Sequence, residues 1–141
     1  MYRHILVPLE NAPSDQAILK QIRPLAKLMH AQLTLIHVAD GFMARNQNPP
    51  LNLDESEEMR RDRAYLDEQV SDLSREGLSV TAVLACGDPT SQILDTAQKL
   101  SCDLIAMSTH GHRWLADFIF GSVAESVRHR TDIPVLLVRA R

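Results

Sequence analysis

Ser108, Thr109, His110, Gly111, His112 and Arg113 are the stretch of this chain best equipped for chemistry, and nine residues separate Gly111 from a second small pair, Gly121-Ser122. Small side chains let a backbone come close to a ligand, and Gly111 and Gly121 have no Cβ to obstruct it. The stretch follows an apolar run, Leu104-Ile105-Ala106-Met107, that reads as a buried strand. Ser122 and Glu125 have capping-box spacing, so a helix is expected to open at Gly121-Ser122. The first amides of a helix lack internal partners and carry partial positive charge, which makes the amides of Ser122 and Val123 candidates for holding an anion. The Ser122 hydroxyl is either a phosphate donor or the helix cap, and the two roles are compatible. His112 and Arg113 can add charge-assisted contacts; the alternative for Arg113 is a solvated surface charge. His110 and His112 share the loop, but no second pair of ligands has metal spacing, which argues against zinc. There is no GxxxxGK[ST] run, so the arrangement is not a P-loop. Strand, small-residue loop and helix start together predict a site for phosphate, and so for a nucleotide or a similar anion.

The elements that must position this loop are legible from hydrophobic period. Five short apolar runs, Ile5–Leu9, Leu33–Val38, Val80–Ala85, Leu104–Met107 and Val135–Val138, alternate with four helical patterns. The first, second and fifth runs are nearly continuous in Ile, Leu and Val, as strands covered on both faces are. The third alternates more, which suits a sheet edge. The first helix is predicted from Ser14 to Met29, with Ile18, Ile22, Leu25 and Met29 on one face and a kink or split at Pro24. The second is predicted from Asp54 to Arg75, with Asp54 and Glu57 in a capping arrangement, an apolar stripe of Leu66, Val70 and Leu73, and Gly77 at its close. The third starts with Asp88 as cap and Pro89 in the first turn and buries Ile93, Leu94 and Ala97. The fourth is the helix expected at Gly121-Ser122, with Val123 and Val127 on its inner face. Asp40–Leu53 shows no period and contains Pro49 and Pro50, so it reads as either a lid or an inert loop.

Alternating β and α elements imply one α/β domain over residues 1–141, Rossmann-like, with a mainly parallel five-stranded sheet and helices on both faces. Such sheets bind ligands where strand order reverses. The position of the strand-four loop favours the order 3-2-1-4-5, which sets Glu10-Asn11-Ala12 across a crevice from Ser108–Gly111. The length of 141 residues allows a proper core, and 45% apolar residues mark a globular chain. The net charge of -3, with signs well mixed, argues against a nucleic-acid surface. Cys86 and Cys102 are not a CxxC pair and read as buried reduced thiols. With no secretory signal and no run near the roughly 18 residues of a membrane span, a soluble cytoplasmic protein is expected. Trp114, Phe118 and Phe120 read as core or dimer packing rather than a base-stacking platform.

Taken in order, Ile5-Leu6-Val7-Pro8, Leu35-Ile36-His37-Val38, Gly87-Asp88-Pro89, Met107-Ser108-Thr109-His110-Gly111, Gly121-Ser122-Val123-Ala124-Glu125 and Ile133-Pro134-Val135-Leu136-Leu137-Val138 resemble the universal stress protein family over nearly the whole chain. The resemblance implies a five-stranded α/β domain, usually a cytoplasmic dimer, in one of two subclasses, of which one holds ATP. The family's ATP pattern is Gly-x-x-Gly, nine residues, then Gly and Ser or Thr; here it reads Ser108-x-x-Gly111, nine residues, Gly121-Ser122. Ser108 is small enough to stand in for the first glycine unless the position needs positive φ. The family's aspartate after the first strand, near ribose and adenine, is matched by Glu10, a longer carboxylate. By the same resemblance the Val38 backbone contacts adenine, and Pro8 and Met107 line the pocket.

The resulting expectation is a regulatory module of the stress response that binds ATP with Mg²⁺. Phosphoryl transfer needs a placed nucleophile, a metal site and charge stabilisation, and the sequence supplies no convincing base for attacking water, so slow or no turnover is expected. The alternatives are an interaction protein that binds no nucleotide, suggested by Ser108 and Glu10, and a slow ATPase or self-phosphorylating protein with Ser122 as acceptor. The last strand, Ile133–Arg139, reads as a sheet edge open to pairing, and the resemblance supports a homodimer through it. A protein partner is expected but unnamed; nucleic acid and membrane are not expected as partners.

Overall fold

Alternation of apolar residues along each strand decides the layering. In the computed structural model, which describes residues 1–40, 53–110 and 116–140 (the side chains of 40, 53–56, 110 and 116–121 aside), nine elements follow in the order β1 (His4–Pro8), α1 (Asp15–Met29), β2 (Gln32–Asp40), α2 (Leu53–Arg75), β3 (Ser79–Gly87), α3 (Pro89–Lys99), β4 (Leu104–His110), α4 (Ala116–Arg130) and β5 (Val135–Ala140). All neighbouring strands are parallel, in the order β3-β2-β1-β4-β5 expected from the sequence. Ile5, Val7, Leu33 and Leu35 point to one face, where Ile18 and Ile22 of α1 and Leu66 and Leu73 of α2 cover them. Leu6, Ile36, Ile105 and Met107 point to the other, against Ile93 and Ala97 of α3 and Val123 and Val127 of α4. Each Leu or Ile fully withdrawn from water contributes about 1.5–3 kcal/mol, so the two cores together dominate folding.

The helix ends follow local chemistry. The Asp88 carboxylate accepts from the Ser91 amide at 2.9 Å, with Pro89 in the first turn of α3. Gly77, at φ 88°, closes α2 while its amide donates to the Ser74 carbonyl at 2.9 Å. At the other end of the sheet Asp103 joins the starts of β1 and β4. Its carboxylate accepts from the amides of Arg3 (2.9 Å) and His4 (3.0 Å), while its own amide donates to the His4 carbonyl at 2.9 Å. Desolvation alone would raise the Asp103 carboxyl, but these amide bonds outweigh it and hold the group below the ordinary carboxylate range.

The structure differs from the sequence expectations at several places. α1 runs unbroken through Pro24, which is exposed, so the Lys20 carbonyl that loses its helical donor faces water rather than the core. α4 begins at Ala116, not at Gly121-Ser122. The apolar period continues back through Ile119, four before Val123, and an interior glycine costs only about 1 kcal/mol. Glu125 is therefore no capping residue; it pairs with Arg128 one turn on and with His129 at 3.1 Å. Cys102 is buried, and its thiol is pushed up to about 11 by desolvation and the Asp103 charge, but Cys86 is exposed near the end of edge strand β3. Residues 41–52 of the expected lid, the Asp54 side chain of the expected cap, Trp114, and the side chains of Phe118 and Phe120 lie outside the described residues. Among the described residues no helix is long and apolar enough to cross a membrane.

A Cβ at Gly77 would meet nothing within 4 Å, so Gly77→Ala isolates the conformational cost of the left-handed turn. Urea unfolding should show a loss of about 1–2 kcal/mol. The Asp103 bonds stabilise the charged carboxylate of the folded chain, so their contribution is complete above the unfolded value of about 4 and disappears as pH falls through the lower folded value. Denaturation between pH 6 and 2 should therefore show a steeper acid loss in the wild type than in Asp103→Ala.

Candidate functional site

The site is built where the β1 ladder stops. The Leu9 amide donates to the Ile36 carbonyl at 2.8 Å, so the peptide groups of Ile36 face β1. In a parallel ladder alternate residues face the same neighbour, and the peptide groups of Val38 therefore face the same way. Extending the ladder would require the Leu9 carbonyl and the Asn11 amide. Both are diverted: His37 Nδ1 donates to the Leu9 carbonyl at 2.8 Å, and the Asn11 amide donates to Asp15 Oδ2 at 2.9 Å. Pairing of β1 with β2 accordingly ends at Pro8↔Ile36. On its other side β1 turns Pro8 toward β4, and proline has no N–H to give; that pairing ends at Leu6↔Ile105. Both flanks of β1 thus open at the reversal of strand order, and the half-buried Val38 presents its peptide there.

The turn beyond β1 is held by a carboxylate. Asp15, only 1% exposed, accepts from the amides of Glu10 (2.9 Å), Asn11 (2.9 Å) and Ala12 (3.3 Å), and from the Tyr65 hydroxyl. Asn11 takes φ 61° to aim these amides inward. Successive N–H groups curled around an anion form a nest, and here the anion is the chain's own side chain. Burial, with the hydrogen bond to Asp15 and its charge, pushes the Tyr65 phenol far above its ordinary range, so it remains a donor. α2 reaches the same turn a second time through Asp62. Its Oδ1 accepts from Asn11 Nδ2 at 3.1 Å, and its Oδ2 lies 3.3 Å from His37 Nε2.

Ser14 brings the two expected halves of the site together. Its hydroxyl donates to Glu10 Oε2 at 2.7 Å, and its carbonyl accepts from Ser108 Oγ at 2.8 Å. Ser108 is 1% exposed and lies within β4 rather than in a loop; it is not among the residues of positive φ, so serine fits where the family pattern has glycine. Pro8 and Met107 are buried below the crevice, and Glu10 is half-buried beside it. His110 ends β4, while Gly111, His112 and Arg113 fall outside the described residues. Gly121 lies inside α4, Ser122 is exposed on it, and Val123 points into the core. Because α4 starts at Ala116, the amides of Ser122 and Val123 lie beyond its first turn and are not the free donors expected of a helix start.

The polar network of Asn11, Asp15, His37, Asp62 and Tyr65 was not anticipated from the sequence. Its trace was there in α2, where Asp62, Tyr65 and Gln69 share the face that Leu66 and Leu73 bury. Polar residues on an inward stripe need partners.

A model of the Universal stress protein family matches residues 1–139. A universal stress protein of Methanocaldococcus jannaschii is 24% identical over 160 aligned positions, covering 100% of this chain and 97% of that protein. The structure of universal stress protein UspA from Lactobacillus plantarum superposes with a TM-score of 0.78 at 21% identity, covering 98% of each chain. That of a universal stress protein from Archaeoglobus fulgidus in complex with dAMP gives 0.72 at 21% identity, covering 97% of this chain and 98% of that one.

Tyr65→Phe removes one donor from a buried carboxylate and leaves the three amides. Chemical denaturation should register a loss of about 1.5–3 kcal/mol, the range for hydrogen bonds to charged groups. A loss below about 0.5 kcal/mol would show that the Tyr65 hydroxyl does not hold the turn.

Proposed function

Because the chain belongs to the universal stress protein family, we propose that it is an adenine-nucleotide-binding regulatory module of the stress response, built as one domain over residues 1–141. The observation that carries this reading is the Val38 peptide, left open at the crevice by the diversion of Leu9 and Asn11. Adenine offers a ring-nitrogen acceptor beside an amino donor, the complement of a peptide N–H and C=O. Glu10, steadied by Ser14, would accept from ribose hydroxyls. The apolar Pro8 and Met107 give the base a dry floor. A relative of the same fold is described in complex with dAMP.

The finer ligand in this proposal is ATP with Mg²⁺. Its phosphates would meet the side chains of His110, His112 and Arg113, the Gly111 and Gly121 backbone and the Ser122 hydroxyl. The amides at 122 and 123 lie inside α4 and are not free helix-start donors, so the phosphate end rests on side-chain donors and on glycine clearance. Mg²⁺ would travel with the triphosphate and supply charge neutralisation there; among the described residues no group of three or more His, Cys, Asp or Glu could hold a metal ion. The module binds with slow or no turnover. β5 lies at the end of the sheet, and its half-buried Val135, Leu136, Leu137 and Val138 suit pairing with a second copy.

Calorimetry with ATP and dAMP, with mass analysis of any copurifying small molecule, tests the reading. Glu10→Ala should weaken binding about tenfold or more, the equivalent of a lost hydrogen bond to a charged group. An unchanged affinity removes Glu10 from the site. No binding of either nucleotide by the wild type would leave the interaction-protein alternative.

A further inference from the structure

His37 stands between two acceptors. The Leu9 carbonyl can only accept, so Nδ1, 2.8 Å away, carries a hydrogen. Nε2 faces the Asp62 carboxylate at 3.3 Å, with both side chains largely shielded at 13% and 10% exposure. In the neutral ring this places the Nε2 lone pair against a carboxylate oxygen. In the imidazolium the same contact is an ion pair between poorly hydrated groups. Asp62 also holds Asn11 at 3.1 Å, so the contact joins β2, α2 and the turn after β1.

We propose that His37 and Asp62 form a proton-dependent latch that keeps the crevice beyond β1 open. When latched, the His37 ring occupies the Leu9 carbonyl, while Asp62 holds the Asn11 side chain and Asp15 its backbone amide. The Leu9 carbonyl and the Asn11 amide are the two groups that would otherwise zip to the Val38 peptide. When the ring loses its proton, the attraction to Asp62 disappears, His37 is released, and the Leu9 carbonyl can accept from the Val38 amide. The ladder then extends by a step and covers the peptide that a base would read. Protonation and latching favour each other by linkage, so the open state is favoured at low pH and is lost as pH rises. From α2, Asp62 faces the ring; from α1, Asp15 and, again from α2, Tyr65 act on the same turn through the Glu10, Asn11 and Ala12 amides and each other. Glu10 is engaged with Ser14. Among the described residues, His37 is the cation-capable group within ion-pair distance of Asp62.

The gating of a base rests on the nucleotide reading above; the latch itself does not. The test uses the full chain and cyclic AMP, whose phosphodiester keeps a single charge across the range. Amide exchange by NMR, expressed as protection factors to remove the intrinsic pH effect, is followed at Val38 from pH 5.5 to 8.5. Calorimetry over the same range gives the affinity for cyclic AMP. In the wild type, Val38 protection should rise and cyclic AMP affinity fall, each about fivefold, the scale of a weak ion pair. Asp62→Asn and His37→Gln should flatten both profiles. Flat protection in the wild type, or an undiminished pH dependence in both variants, overturns the latch. Changing protection with a flat affinity overturns its control of the crevice. Changing protection with no cyclic AMP bound at any pH supports the latch and counts against the nucleotide reading alone.

Discussion

The Asp15 carboxylate is the constraint on which the upper half of the molecule depends. A charge that is 1% exposed survives burial only when its oxygens are fully engaged, and here three backbone amides and a phenol engage them. The arrangement fixes the sharp exit from β1 and starts α1 in the same stroke. It also consumes the amides that would have carried β1 further beside β2. One side of the crevice is therefore a by-product of satisfying a buried anion, and the other depends on His37 holding the Leu9 carbonyl.

The same turn shows how the two faces of the sheet cooperate. α1 contributes Asp15 and α2 contributes Tyr65 and Asp62, so both helices on one face lock the loop above β1. The opposite face contributes the floor, through Met107 in the core beside Ile93 and Val127. Ser108 spans the gap by donating to the Ser14 carbonyl, which stitches β4 to the start of α1 over the end of β1. Stability and site geometry share these bonds, and a substitution among them alters both.

How much of this was legible in the sequence depends on the kind of signal. The strand order and the helix faces could be read because Ile, Leu and Val recur with periods that burial imposes. Gly77 and Asp88 could be read because a left-handed turn and a helix cap each require particular chemistry. The start of α4 could not. Gly121-Ser122 with Glu125 mimics a capping box, but the apolar period running back to Ile119 competes with it and prevails. The Asp15 nest was hidden for another reason: its partners lie as far apart as residues 10 and 65, and no local pattern announces a contact across that distance. Glu10 and Ser108, the departures from the family pattern, were visible, whereas the Ser14 bridge that joins them was not.

On the proposed reading, the open peptide of Val38 also settles which purines fit. A main-chain unit has a fixed polarity, donor on nitrogen and acceptor on oxygen, and no replacement of the side chain reverses it. Guanine and hypoxanthine present a carbonyl and a protonated ring nitrogen where adenine presents an amino group and a bare one, and would set like against like at both contacts. Discrimination between amino and keto purines would then reside in the backbone trace itself, out of reach of ordinary point mutation at that position. Proline, which deletes the nitrogen's hydrogen, is the sole coded residue able to erase half of it.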